Sequence, residues 1–365
     1  MRSPASLCIT NAQIISEHKI IRDSWLFVRG GIIQKTGTAG PPRAEKTINA
    51  RGNYVAAGCI DLHIHGDSAR VCREAVAGGT TGFVRSLCAA DTASLCAIIE
   101  RERSASRSGA QRLGYHSEGP FLNPAMAGAQ PKRALRQPSL KALEHLLARC
   151  GADIKIMTLA PESRCGNALI RCLRESGVVI SLGHSQATYE QARAAIDAGA
   201  SLATHMYNRM GPVSSRQPGL VTAALLDDRI TVEIIADGIH VHPALIQLLL
   251  RVKPLDKVVL VTDSVSAEPG LRKRLSAGVY RLADGTIAGS RLTMLEAIQN
   301  AVKFSGISLA QAVAMATLNP ARVLGVDDRK GRLKPGYDAD LIVFDKKFQC
   351  LTTIVGGKVV FSRKI

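Results

Sequence analysis

Residues 59–66 read CIDLHIHG, two histidines on alternate positions of an apolar run that a glycine ends. Side chains two apart on a β-strand share a face, so His63 and His65 can reach one ion together. Two hydrogen-bonded histidines inside a strand would show the same spacing. The pair acquires meaning from what surrounds it.

Outward from this stretch the chain changes period repeatedly. Apolar segments at VAAGCIDLHIH, TTGFVRSL, RLGYHSEG, DIKIMTLAP, GVVISLGH, SLATHM, ITVEIIAD and KVVLVTD alternate with helical patterns such as TASLCAIIERERSA, KALEHLLARC, GNALIRCLRES, TYEQARAAIDAG and HPALIQLLLRV. Eight strand–helix alternations predict an α/β fold of the (β/α)8 TIM-barrel type, because a doubly wound sheet more often stops near six strands. No glycine-rich nucleotide fingerprint opens an early helix, which weakens a Rossmann reading. SRLTMLEAIQNAVKFSG and SLAQAVAMATLNPARVLG predict two further helices. Both ends carry short strand patterns with glycine turns, SLCITNAQII and SWLFVRGGIIQKTG at one, GRLKPGYDADLIVFDKKF and LTTIVGGKVVF at the other. The expected organisation is a discontinuous small β domain, residues 1–53 and 331–365, around a catalytic barrel over 54–330.

The 365 residues are 46% hydrophobic and 21% charged, a globular balance that argues against wholesale disorder. The net charge of +17 would help attract an anion, yet lysines and arginines are scattered, with short groups such as LRKRL at 271–275 and no basic arm. That pattern favours a solvated surface or capture of a small anionic substrate, with no nucleic-acid partner expected. Nine cysteines show no CxxC and no secreted framework, so free thiols in the cytoplasm are expected. There is neither an export leader nor an apolar run of about 18 residues, so no membrane association is expected.

Polar residues fall at the ends of the predicted strands. His63 and His65 end strand 1, Glu118 strand 3, His184 strand 5, His205 strand 6 and Asp263 strand 8. In a barrel those ends converge on one mouth. Imidazole and carboxylate together suit a divalent metal, zinc first, with iron or another first-row ion also compatible. Each residue alone has a plainer reading: Glu118 a helix cap or arginine partner, His184 and His205 core histidines, Asp263 a helix N-cap. Their shared placement points to a metal centre. His116, two residues before Glu118, reads as a neighbour of that centre rather than a ligand. His18, His145, Cys59 and the other thiols do not cluster with these histidines and read as structural or surface residues.

Through GCIDLHIHG, EGPFLNP, GHS, THMYNRM, RQPG, DGIHVHP, LVTDS, AGSRLTM and the tail NPARVLG…GRLKPGYDADLIVFD, nearly the whole chain resembles the N-acetylglucosamine-6-phosphate deacetylase family of the amidohydrolase superfamily. The resemblance implies a barrel with a small β-sandwich domain. It implies Glu118, His184 and His205 as metal ligands, with His63 and His65 the extra pair of members holding a second ion, hence one or two ions per subunit. It implies Asp263 as the catalytic aspartate, His240 as the contact to the substrate carbonyl, and Asn208 and Arg216 as holders of the sugar phosphate. Ile287, Ala288 and Gly289 correspond to the segment covering the acylamino group. Because the phosphate arginine can come from across a dimer interface in this family, a homodimer is implied.

The chain departs from the family pattern at several points. Gln130 stands where a histidine near the sugar is usual; it can donate a hydrogen bond but carries no imidazolium charge. Arg209 stands in YNRM where a small residue is usual, and a guanidinium there grips a more highly charged substrate or fills part of the sugar pocket. The segment after HIHG is short, and Ser117 replaces an apolar residue. The expected reaction is metal-dependent hydrolysis of the acetamide of a phosphorylated N-acetylamino sugar. N-acetylglucosamine-6-phosphate comes first, with its galactosamine epimer or another acylamino sugar as the alternative. A noncatalytic scaffold acting through binding is the reading from another class.

Overall fold

The computed structural model describes residues 5–17, 19–103, 108–163, 165–265, 274–276 and 278–363. His18 and most of LRKRL lie outside the described residues. In chain order the elements are β1 Ser6–Ile15, β2 Ile20–Arg29, β3 Ile32–Gly37, β4 Lys46–Asn49, β5 Tyr54–Ala57, β6 Cys59–His65, α1 Ser68–Glu74, β7 Thr80–Leu87, α2 Thr92–Arg103, β8 Gln111–Glu118, α3 Leu140–Cys150 and β9 Ile154–Leu159. They continue with α4 Gly166–Glu175, β10 Val179–Leu182, α5 Tyr189–Ala198, β11 Leu202–Ala203, α6 Gly219–Leu226, β12 Thr231–Ile235, α7 Pro243–Val252, β13 Val258–Val261 and β14 Ser264–Val265. Last come β15 Arg274–Ser276, β16 Val279–Arg281, β17 Ile287–Ser290, α8 Met294–Ser305, α9 Leu309–Ala316, α10 Leu318–Val323, β18 Leu341–Phe344, β19 Cys350–Val355 and β20 Lys358–Ser362.

Strands β6 to β13 pair in sequence order, each parallel to the next, with helices on the outside. All residues of β6 and β7 are buried, as parallel strands covered on both faces require. The ring closes through a broken eighth strand: β13 stops at Val261, and β14 resumes beside β6 with Ser264 opposite Ile64 and Val265 opposite His65. The buried Asp61 carboxylate fastens this seam, accepting from the Thr262 hydroxyl at 2.6 Å and from the amides of Thr262 and His63 at 3.2 Å. Burial pushes the Asp61 carboxyl up to about 7.

The second sheet takes strands from both ends of the chain, in the order β20-β19-β18-β5-β1-β2-β3. Its packing follows the two-residue alternation of strands. On β18, Leu341 and Val343 join a core of Ile9, Ile14, Leu26 and Val55, whereas Ile342 and Phe344 turn toward the barrel core.

The stretch VAAGCIDLHIH, read from sequence as one strand, is two. Tyr54–Ala57 belongs to the second sheet and Cys59–His65 to the barrel, with Gly58 between them. A Cβ on Gly58 would stand 2.0 Å from the Thr81 hydroxyl, so only glycine lets the chain pass from one sheet to the other here. SLAQAVAMATLNPARVLG likewise forms two helices, α9 and α10, broken at Thr317 three residues before Pro320.

Candidate active site

Strand ends place the site. His63 and His65 lie on β6 and Glu118 ends β8; His184, His205 and Asp263 sit two residues past β10, β11 and β13. Those last three have left-handed backbones, φ +48°, +29° and +45°. Non-glycine residues there each cost on the order of 1–3 kcal/mol, a strain that surrounding structure must enforce.

The residues form two groups, Glu118–His184–His205 and His63–His65–Asp263, within each of which one ligand atom per residue lies within 4.8 Å of the others. Nδ1 of His184 is 2.8 Å from the Met126 carbonyl, to which it donates, so its Nε2 presents a lone pair. That Nε2 stands 3.0 Å from Nε2 of His205 and 2.8 Å from Oε1 of Glu118, and His205 Nε2 is 3.2 Å from the same oxygen. Electron-rich atoms at such distances need a shared proton or a cation among them, and their types and number fit a divalent ion. In the second group, His65 Nε2 lies 3.3 Å from Asp263 Oδ1 and 3.5 Å from Glu118 Oε2. His63 Nε2 is buried without a hydrogen-bond partner, 3.6 Å from Glu118 and 3.7 Å from Asp263.

Electrostatics agree with this arrangement. Burial would favour a neutral Glu118, but His63, His184 and His205 hold its carboxyl well below the ordinary range. Burial opposes charge on His63, yet Glu118, Glu233 and Asp263 lift it well above the usual imidazole value. The cluster is built to accommodate positive charge.

Several of its supports were not apparent from sequence. Glu233 on β12, fully buried, accepts from His63 Nδ1 at 3.1 Å, from the Thr204 hydroxyl at 2.9 Å and from the His205 amide at 3.3 Å. It orients His63 with Nε2 toward Asp263 and Glu118, as carboxylates behind metal-ligating histidines do. A glutamate between Val232 and Ile234 in ITVEIIAD was the available signal, since a buried carboxylate needs a partner. Asp237 similarly holds His240: Nδ1 donates to Oδ2 at 2.6 Å, while the amides of Ile239 and His240 donate to Oδ1 at 2.8 Å. Nε2 of His240 remains available to the cavity.

The expectation that no thiol approaches the histidines is corrected by Cys88. It follows β7, whose end opens on the same mouth, and its Sγ lies 3.7 Å from His65 Nδ1. His116 bonds to Ser86 and Thr158 and packs edge-on against His63, beside the cluster rather than in it. His145 is exposed on α3.

A cavity of about 390 Å³ opens above the metal groups. His240, Asn208, Arg209, Gln130 and the Ile287–Gly289 segment all line it with His65, Glu118, His184, His205 and Asp263. Gln130 reaches the deep end: its Nε2 donates to Glu118 at 2.5 Å and its Oε1 accepts from the Ala89 amide at 2.8 Å. The β17 backbone is anchored there by the Ser290 amide, which donates to the Asp263 carbonyl at 2.8 Å. Arg216 is exposed and does not line the cavity. After His65 the chain enters α1 almost at once, capped by Asp67, which accepts from the amides of Ala69 and Arg70.

Comparison with known proteins converges with this geometry. The amidohydrolase family model matches residues 54–360. An N-acetylglucosamine-6-phosphate deacetylase of Bacillus subtilis is 34% identical over 397 residues, covering 98% of each chain. An N-acetylgalactosamine-6-phosphate deacetylase of Escherichia coli O157:H7 is 32% identical, covering 91% of this chain and 93% of its own. The structure of a Mycobacterium smegmatis N-acetyl-D-glucosamine-6-phosphate deacetylase mutant in complex with N-acetyl-D-glucosamine-6-phosphate superposes with a TM-score of 0.89 at 31% identity, over 98% of this chain and 100% of that one. The chain therefore belongs to the amidohydrolase superfamily, within its N-acetylglucosamine-6-phosphate deacetylase family.

Proposed function

We propose that the protein hydrolyses the acetamide of N-acetylglucosamine-6-phosphate to acetate and glucosamine-6-phosphate. Glu118, His184 and His205 would hold one divalent ion, and His63 and His65 a second or a supporting position beside Asp263. Zinc is the first choice for these donors, with iron or another first-row ion next. The observation that carries the reading is the convergence of both donor groups and His240 on one cavity.

Bound there, a divalent ion supplies Lewis acidity, making water a better nucleophile at neutral pH and polarising the acyl oxygen. Asp263 takes the proton of the attacking water and returns it to the departing nitrogen, because an amine leaves poorly as an anion. Burial works against its ionised form, but His65 and His63 hold the carboxyl below the ordinary range, so it is charged and ready to accept. His240, fixed by Asp237, donates from Nε2 to the acyl oxygen and binds it more strongly as negative charge develops. Ile287, Ala288 and Gly289 cover the acylamino group, and Gln130 steadies Glu118.

Asn208 and Arg216 grip the phosphate, Arg216 reaching the neighbouring cavity of a homodimer. Its exposure outside its own cavity supports that assignment, as do the exposed Leu245, Leu248 and Val252 on α7. Among the described residues no helix is long and apolar enough to cross a membrane. The nine cysteines are free, which supports a cytoplasmic setting.

The Escherichia coli relative, named for the galactosamine epimer, favours a second reading in which that epimer is the substrate. Metal analysis of protein purified without added ions, with kcat/KM measured for both epimers with and without phosphate, tests the two together. No bound ion, and no acetate release after reloading with zinc or iron, would end both.

A further inference from the structure

The cavity is lined by two unlike sets of residues. Its floor carries the carboxylates and imidazoles described above, whereas Tyr207, Asn208 and Arg209 contribute from the loop after β11. Arg209 is the one lysine or arginine among the described residues that line it.

The position of this side chain is set by its surroundings. Tyr207 and Arg209 have left-handed backbones, φ +74° and +52°. The loop is tied to the turn after β10, with the Ser185 amide donating to the Arg209 carbonyl at 3.0 Å and the Gly211 amide to the Ser185 carbonyl at 3.1 Å. Facing it is Gly128, where a Cβ would stand 2.7 Å from Arg209 Nε and 3.1 Å from its Cγ and Cδ. Glycine at 128 leaves the stem of Arg209 a track along the cavity wall. Asp284, exposed on the turn between β16 and β17, lies close enough to feel the guanidinium charge.

Resting on the acylamino-sugar reading above, we propose that Arg209 is a specificity-determining residue. Its guanidinium holds the substrate phosphate from within the same subunit, in addition to any arginine a second copy brings, and so selects phosphorylated over neutral acylamino sugars. A guanidinium matches phosphate with paired, charge-assisted hydrogen bonds that lysine reproduces only in part. The amide and the phosphate lie on different carbons of such a sugar, and one cavity offers the acidic and imidazole groups together with this single guanidinium.

The test compares wild type, R209A and R209K on N-acetylglucosamine-6-phosphate and N-acetylglucosamine, with metal content measured for each protein. The expected result is a KM for the phosphorylated sugar raised by about 10- to 100-fold in R209A, with kcat, metal content and kinetics on the neutral sugar retained and R209K recovering part of the loss. A KM for the phosphorylated sugar within about twofold of wild type, or equal losses on both sugars, overturns the proposal. If wild type hydrolyses neither sugar, the functional reading fails, and calorimetric titration with glucosamine-6-phosphate and glucosamine decides on Arg209 alone. A preference for the phosphorylated ligand that R209A abolishes supports the role; no preference, or one that survives, overturns it.

Discussion

The floor and the mouth of the cavity are built by opposite means. On the floor, His63, Glu118, His184 and His205 are buried, and second residues restrain three of them: Glu233 behind His63, Gln130 on Glu118 and the Met126 carbonyl on His184. At the mouth, Arg209 is exposed on the loop after β11, and Arg216, outside the lining of this cavity, is exposed on a loop as well. A buried, restrained floor fixes the chemistry, while exposed side chains on loops can change from one family member to another and thereby set which sugar enters. Here the departures from the family pattern include Arg209 at the mouth and Gln130 on the floor, while the floor keeps its full donor set.

That contrast can be broken most directly at Asp263. D263N is expected to keep its metal and lose about 10²- to 10⁴-fold in kcat, measured by acetate release alongside metal analysis. Near-normal turnover would remove Asp263 from the proton transfers. Next, E233Q is expected to weaken retention of the ion near His63 by about 10- to 100-fold in a chelator titration, leaving the Glu118 group loaded. Equal loss from both groups would show that the floor is one unit rather than two.

His240 also lines the cavity and is half-buried. Burial opposes its protonation, but Asp237 and then Asp263 raise its pKa above the usual imidazole value. As the proton donor it is active below that pKa, so kcat/KM should fall as pH rises through it. D237N removes the main raising contact, and the alkaline limb should move to lower pH with a loss of about tenfold or more in kcat. An unmoved limb would mean that another group sets it. R216A is expected to raise KM for the phosphorylated sugar by about tenfold while sparing kcat and metal content; an unchanged KM would take Arg216 out of the phosphate grip. The smallest effect belongs to Cys88. A thiol is a weak hydrogen-bond partner, so C88S should change metal retention by less than about threefold, and a larger loss would make Cys88 part of the floor.

The candidate site residues were more legible in the sequence than their supports. His63, Glu118, His184, His205 and Asp263 stand at or just beyond strand ends, and a barrel brings such ends together however distant they are in the chain. Asp61 shared the two-residue period of His63 and His65, yet its partner Thr262 is 201 positions away, and nothing local announces that pairing. Glu233 was hidden for the same reason, with His63 170 positions away; Asp237 stands only three residues from His240, but DGIH does not by itself show which side chain orients which. The passage between the two sheets at Gly58 was illegible because Val55 to Ala57 are as apolar as the barrel strand that follows. α6 escaped notice because GLVTAALL is apolar on almost every side and so lacks a helical stripe.

The left-handed backbones at His184, His205 and Asp263 also bear on attempts to toughen this protein. Glycine or asparagine relaxes more readily into such a conformation, so a screen that rewards only survival on heating would be drawn to these three positions. Its winners would be sturdy and inert. A useful screen must therefore score acetate release in the same round.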